Sequence, residues 1–169
     1  MPQFDRDFRA PAVLTPHPGE YQRLALALGL DGDPIDQATR PAAAEQLAQR
    51  LGCVVVLKGA GTVVTDGVQS WINPTGNVAL ATAGSGDALT GVIAGLIGQF
   101  FKGHVGGTKS TARPQQPSGL SLLECARIGV YLHGLAADRW AERCGDSGLL
   151  ASDLLAELPA AQAELRSTQ

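Results

Sequence analysis

Asn73-Pro74-Thr75-Gly76-Asn77, then Ala83-Gly84-Ser85-Gly86-Asp87 opening the apolar stretch Ala88 to Phe101, decide how this chain is read. A glycine-rich turn leads straight into a helix. The first N–H groups of a helix have no intrahelical partner and carry a partial charge of about +0.5. Glycine lets an anion approach such groups closely. Gly84, Ser85 and Gly86 therefore suit an anion hole for a transferring phosphoryl group. Asp87, on the same turn, has two readings. It can take the proton of a substrate hydroxyl that attacks phosphorus, or it can cap the helix, where aspartate is favoured. The turn alone leaves both open. The segment is not a Walker A loop, because no lysine follows the last glycine as GxxxxGK(S/T) requires. Gly59-Ala60-Gly61 is not a dinucleotide fingerprint either, since Val64 stands where glycine or alanine is needed.

Upstream of this block, Ala12-Val13-Leu14-Thr15 reads as a short buried strand that Pro16-His17-Pro18-Gly19 ends. Tyr21, Leu24, Ala25 and Leu28 recur at helical spacing, with Gly29 as the stop. Pro41 suits the first position of a second helix, edged by Leu47 and Leu51 and stopped by Gly52. Val54-Val55-Val56-Leu57 is a β-branched run of the kind buried on both faces of a sheet. Thr62-Val63-Val64-Thr65 and Gln69-Ser70-Trp71-Ile72 flank Asp66-Gly67, a hairpin signal. Val78-Ala79-Leu80-Ala81 reads as a last short strand. The strand–helix–strand order predicts a mainly parallel sheet flanked by helices, with the hairpin as an antiparallel edge.

The helix opened by Gly84 to Asp87 is apolar nearly all round, which predicts an interior position. Gly91 and Gly95 share a face, which suggests close approach of a neighbouring backbone. Lys102 to Gly119 (102–119) is rich in Gly, Thr, Ser, Pro and Gln and reads as a flexible loop. Its Lys102, Lys109 and Arg113 suit either an anion contact or plain solvation. Leu122, Ala126, Gly129, Leu132, Ala136 and Trp140 form one face of a long helix, followed by Gly145. A short helix, Asp153 to Leu158, is expected to stop near Pro159.

The chain has 169 residues, 44% hydrophobic and 17% charged, with net charge −3. That length allows one domain, read as residues 1–169. The absence of a basic excess argues against nucleic acid as a partner. Cys53, Cys125 and Cys144 are far apart, without metal-ligand spacing, and read as reduced thiols. No apolar run reaches the roughly 18 residues that span a bilayer, and Met1 to Arg9 lacks a signal-peptide core. A soluble, cytoplasmic protein with no membrane partner is the expectation.

Gly84-Ser85-Gly86-Asp87 resembles the GxGD signature of ribokinase-like kinases, which place this aspartate as the base that activates the substrate hydroxyl. Leu14-Thr15-Pro16-His17-Pro18-Gly19-Glu20 is similar to the LTPHPGE motif of the ADP/ATP-dependent NAD(P)H-hydrate dehydratase family. Val56-Leu57-Lys58-Gly59-Ala60-Gly61-Thr62 resembles that family's KGxxT nucleotide segment, although a strand end with a surface lysine would look the same. Asn73 through Leu96 resembles its N-x-TGN…ATxGxGDxLTGxIAGL block, with Ala83 where glycine is usual. Tyr131 to Asp138 and Gly148 to Asp153 resemble its C-terminal helices.

The resemblance implies a ribokinase-like α/β fold that is N-terminally truncated, a single partial domain. It implies phosphoryl transfer from ADP or ATP, with magnesium, to the ring hydroxyl of NADH or NADPH hydrate, and elimination of phosphate to repair the cofactor. It implies Asp87 as the catalytic base at the substrate, and His17 as a substrate contact, although a histidine between prolines also suits a turn. It implies Lys58, Gly59, Ala60, Gly61, Thr62, Gly84, Ser85 and Gly86 around the nucleotide, and Glu20 ordering magnesium through water. A homo-oligomer and a separate epimerase partner are expected. The alternatives are a ribokinase-like kinase of a small metabolite and an inactive truncated remnant.

Overall fold

The structure is a computed structural model that describes residues 10–102 and 119–167. Its elements run β1 (Val13–Leu14), α1 (Pro18–Leu28), α2 (Arg40–Leu51), β2 (Val54–Leu57), β3 (Val63–Thr65), β4 (Ser70–Ile72), a 3-10 turn (Val78–Leu80), α3 (Ser85–Phe100), α4 (Leu122–Cys144) and α5 (Ala151–Ser167). Among the described residues the strands form one four-stranded sheet in the order β1-β2-β3-β4.

The α/β class holds, but the expected mainly parallel sheet is mixed over the described residues. β1 and β2 pair in parallel, whereas β2–β3 and β3–β4 are antiparallel. The cause is in the connections. Only β1 reaches its neighbour through a helical crossover, by way of α1 and α2, while tight turns join the later strands. In the β3–β4 turn the Asp66 carboxylate accepts the N–H groups of Val68 and Gln69 at 2.9 and 2.8 Å. Gly67 has φ +88, which glycine tolerates.

β2 is buried throughout and separates two halves of the core. Val55 and Leu57 pack with Tyr21, Ala44 and Leu47 of α1 and α2. Val54 and Val56 pack with Leu89, Ile93, Ala126 and Val130 of α3 and α4. The period-2 alternation of the strand thus serves two helical layers. Each buried Val or Leu contributes about 1.5–3 kcal/mol. A third cluster joins α4 to α5 through Leu132, Ala136, Leu154 and Ala161. Cys53 and Cys125 are buried and Cys144 is exposed, all as free thiols; burial pushes Cys53 up to about 11.

Four local expectations are corrected. Val78–Leu80 is a 3-10 turn and not a strand, because the Asn77 side chain accepts the Ala79 N–H at 2.9 Å and closes a helical turn. α5 does not stop at Pro159 but runs on to Ser167. Proline there removes one bond to the carbonyl of exposed Leu155, which water can satisfy, while Ala161 stays fully buried. α3 is not interior all round: Ser85, Leu89, Ile93 and Leu96 form its buried stripe, and Gly91, Ala94, Gly95 and Gly98 are exposed. Beyond the helix's own backbone and the neighbouring residues, no described atom lies within 4 Å of a Cβ built at Gly91 or Gly95, so the close approach is elsewhere. It falls at Gly129 of α4, where a Cβ would sit 2.6 Å from Ile93 Cγ1. Of the segment read as a loop, residues 103–118 lie outside the described residues. The Leu120 N–H bonds the Phe100 carbonyl at 2.9 Å across its ends.

These glycines give opposite expectations in urea unfolding. Gly91→Ala and Gly95→Ala each raise stability by about 0.5–1 kcal/mol, since open helical positions gain propensity without a clash. Gly129→Ala lowers it by about 1–3 kcal/mol through overpacking against Ile93.

Candidate functional site

Three segments meet where β1 and β2 end. After β1 the chain enters Pro16 to Glu20, and His17 caps α1. Its Nδ1 accepts the N–H groups of Gly19 and Glu20 at 3.1 and 3.3 Å, while the Glu20 carboxylate accepts the His17 N–H at 2.7 Å. This reciprocal pair is a capping box built on histidine. After β2 the Lys58 N–H donates to the Pro16 carbonyl at 2.9 Å, joining the two segments. The chain then turns through Gly59, Ala60 and Gly61, with φ +146 at Gly59 and +63 at Gly61. The Thr62 hydroxyl donates to the Gly59 carbonyl at 3.0 Å and accepts its N–H at 3.3 Å.

The third segment is the first turn of α3. Gly84 has φ +82 at the N-cap position and supplies no side-chain cap. The Ser85 hydroxyl donates to the Leu80 carbonyl at 2.7 Å. Asp87 is the third helical residue rather than the cap. Its side chain is exposed, and among the described residues no hydrogen bond or ion pair engages its carboxylate. A Cβ built at Gly86 would lie 3.0 Å from Lys58 Nζ, so glycine there leaves the ammonium room against the helix end.

Two concavities share these residues. One, about 340 Å³, is lined by His17, Pro18, Lys58, Gly59 and Gly84 to Asp87. The other, about 520 Å³, is lined by Lys58 to Thr62, by Asn73, Thr75 to Val78, Leu80 and Ala81, and by Ser85, Gly86 and His133. Lys58, Gly59, Ser85 and Gly86 border both. Every residue expected around the nucleotide therefore lines one cavity or the other, and Asp87 and His17 stand at the smaller one. Glu20 adjoins them through its bond to the His17 N–H. It lines an open hollow of about 430 Å³ with Leu14, Thr15, Pro16, Arg23 and Leu24.

The Glu20 carboxylate is held below the ordinary carboxylate range, first by the His17 N–H bond and then by Lys58, against the opposing pull of burial. Lys58 Nζ lies 3.8 Å from it. No group of three or more His, Cys, Asp or Glu among the described residues forms a metal cluster. A hard divalent cation that keeps most of its waters, with phosphate oxygens as its other ligands, needs no such cluster. An ionised, half-exposed Glu20 beside Lys58 fits an outer, water-mediated place for it.

Three residues of the site escape a reading of the sequence. Arg40, 3% exposed, donates to the carbonyls of Leu57 and Lys58 through Nη2 and of Ala60 through Nη1, at 3.0, 3.1 and 3.0 Å. Asp138 accepts the Gly76 N–H and the Asn77 amide, both at 2.8 Å, and so holds the Asn73–Asn77 loop. His133 Nε2 lies 2.9 Å from the Ser85 carbonyl, which can only accept, so Nε2 carries the proton. These contacts join residues 17 to 62 positions apart and leave no local periodicity to find.

A family model described as NAD(P)H-hydrate dehydratase matches residues 3–160. The bifunctional NAD(P)H-hydrate repair enzyme of Moorella thermoacetica is 45% identical over 151 residues, covering 88% of this chain and 24% of that one. The ADP-dependent (S)-NAD(P)H-hydrate dehydratase of Bacillus subtilis is 37% identical over 153 residues, covering 88% and 46%. A crystal structure of the ADP/ATP-dependent NAD(P)H-hydrate dehydratase from Bacillus subtilis, co-crystallised with ATP and magnesium, superposes with TM-score 0.71 at 33% identity, covering 91% of this chain and 48% of that one. The chain thus spans between a quarter and a half of the length of these relatives. Hydroxyethylthiazole kinase from Pyrococcus horikoshii, at TM-score 0.65 and 18% identity, shares the fold. No helix among the described residues is long and apolar enough to cross a membrane.

His133 gives the site a pH signature. Burial pushes its pKa below the ordinary 6.5, outweighing the bond to Ser85. The unfolded chain therefore binds a proton that the folded chain refuses, and stability rises with pH from the lowered value up to about 6.5, then levels off. Urea unfolding of wild type and His133→Gln across about pH 5 to 8 should show that rise in wild type and a flatter profile in the variant. Matching profiles would place the titration elsewhere.

Proposed function

The chain belongs to the NAD(P)H-hydrate dehydratase family, and from that premise we propose that it carries the nucleotide site and the catalytic base of an enzyme that repairs hydrated NADH or NADPH with ADP or ATP as phosphoryl donor. The observation that carries this reading is the meeting of Lys58, Gly84 to Asp87 and His17 around one cleft, with the Asp87 carboxylate unengaged among the described residues. We take residues 1–169 as a single partial ribokinase-like unit.

In this reading the nucleotide lies along Lys58 to Thr62, with its phosphates toward the first turn of α3. Lys58 offsets phosphate charge, and the Gly84–Gly86 turn receives the charge that develops on the transferring group through the N–H groups of Gly84 and Gly86, that of Ser85 resting on the Thr82 carbonyl at 3.4 Å. Glu20 would hold magnesium through its waters, and the ion would supply positive charge to the phosphates. Asp87 accepts the proton of the ring hydroxyl as its oxygen bonds to phosphorus and the donor's bridging P–O bond breaks. Phosphate then departs with the C–O bond pair while a proton leaves the adjacent ring carbon, restoring the double bond. His17 spends Nδ1 on its own helix cap, so its Nε2 edge, near Glu20 Oε1 at 3.5 Å, is what remains for substrate. The chain associates with further copies of itself and works alongside a separate epimerase.

The test is turnover of NADH hydrate by the purified chain with magnesium and either ADP or ATP, followed by the return of reduced-nicotinamide absorbance. Asp87→Asn should lower the rate by about 10²–10⁴-fold while leaving ADP affinity within about twofold. A stable phosphorylated hydrate accumulating in place of NADH would identify a kinase, and undiminished turnover by Asp87→Asn would remove the aspartate from the chemistry.

A further inference from the structure

Arg40 is the first residue of α2, three residues beyond Gln37, whose amide donates to the Ala60 carbonyl at 3.2 Å. Its guanidinium lies against the inner side of the Lys58–Thr62 turn. A Cβ at Gly59 would come within 2.7 Å of Nη1, so the turn rests directly on the cation. Nη1 and Nη2 bond three carbonyls, while Nε finds no partner among the described residues. No carboxylate among the described residues pairs with it. Arginine stays ionised even when buried, so the charge is real and is solvated by carbonyl dipoles alone. A buried cation is costly unless it is paired or hydrogen-bonded, and a carboxylate would be the ordinary partner.

Because trans peptides place C=O and the following N–H on opposite sides, a clamp on the Lys58 and Ala60 carbonyls also fixes the direction of the Gly59 N–H, which Thr62 Oγ1 accepts at 3.3 Å, and of the Gly61 N–H. We infer that Arg40 is a positioning residue for the phosphate side of the nucleotide: it orients the Lys58–Gly61 turn, and its uncompensated charge biases that turn toward an anion. It touches no ligand itself, being almost wholly buried. This inference rests on the nucleotide reading of the same turn. The turn presents Lys58 on its outer side and Arg40 behind it, so two positive charges flank a glycine backbone that can approach a phosphate closely.

The test uses the full chain and compares ADP with adenosine, which lacks the phosphates, by calorimetric titration. Circular dichroism confirms that each variant is folded. Arg40→Gln keeps an amide donor but removes the charge; it should weaken ADP by about tenfold or more and adenosine by less than about twofold. Arg40→Lys restores charge without the planar fork and should hold ADP within about threefold of wild type. Should the Gln variant fail to fold, the Lys variant decides: ADP binding within about threefold of wild type supports the role, and a larger loss overturns it. Equal losses for ADP and adenosine would reduce Arg40 to general scaffolding, and a folded Gln variant that binds ADP like wild type would overturn the inference alone. Wild type that binds neither ligand would overturn the nucleotide reading together with it.

Discussion

The first turn of α3 has no side-chain cap, so other parts of the chain must hold it in place. That constraint organises the site. Unpaired helix-end donors attract anions but have no intrahelical bonds of their own to fix them. Here the fixing comes from outside the helix. The Ser85 hydroxyl reaches back to Leu80, the Ser85 carbonyl receives His133 from α4, and Gly84 takes the left-handed conformation that lets the chain enter the turn. Lys58 closes in over Gly86 because no side chain stands there. Asp87 is left unencumbered among the described residues, since it is not the N-cap and no side chain caps the helix.

Much of this was legible in the chain, and for identifiable reasons. The β-branched run Val54 to Leu57, the Asp66-Gly67 hairpin and the glycine turn before α3 are local signals, decided by side-chain stiffness, turn geometry and helix-end chemistry. They also lie where they were expected. What the sequence hid depends on partners far along the chain. Val78 to Leu80 has strand-like composition, but Asn77 overrides it with a single side-chain bond. Pro159 looks like a stop, yet packing of Ala161 against α4 continues the helix past it. Arg40 reads as an ordinary helix-start cation, and nothing nearby in sequence reveals that it faces Leu57 to Ala60.

The reading of α3 as interior failed for an instructive reason. All-round apolarity says what a helix tolerates, not what covers it. Over the described residues one stripe meets the sheet and α4, while the face carrying Gly91, Gly95 and Gly98 meets nothing. β1 likewise pairs only with β2 among the described residues, and the Thr15 hydroxyl at its end sits 3.0 Å from Thr90 of α3. The lightly covered helix face and the unpaired strand edge are therefore neighbours. Relatives of this chain are two to four times its length, so the same motifs occur there with more protein around them.

α4 explains how the two walls of the larger cavity keep their spacing. Its polar side holds the Asn73–Asn77 loop through Asp138, accepts the Thr75 hydroxyl on the Tyr131 carbonyl at 2.9 Å, and braces α3 through His133. Gly134 lets Thr75 sit against the helix, where any Cβ would overlap it. A hydrogen bond contributes only about 0.5–1.5 kcal/mol net, so four or five of them cannot by themselves fix a 23-residue helix. Apolar burial along α4 does that, through Leu132, Ala136 and Ala137 packed in the cluster it shares with α5. That burial sets the position of the polar groups interleaved with it. The first turn of α3, the loop facing it and the α4–α5 core form one mechanical unit, although the residues that line the cavities and those that hold them are scattered across the chain.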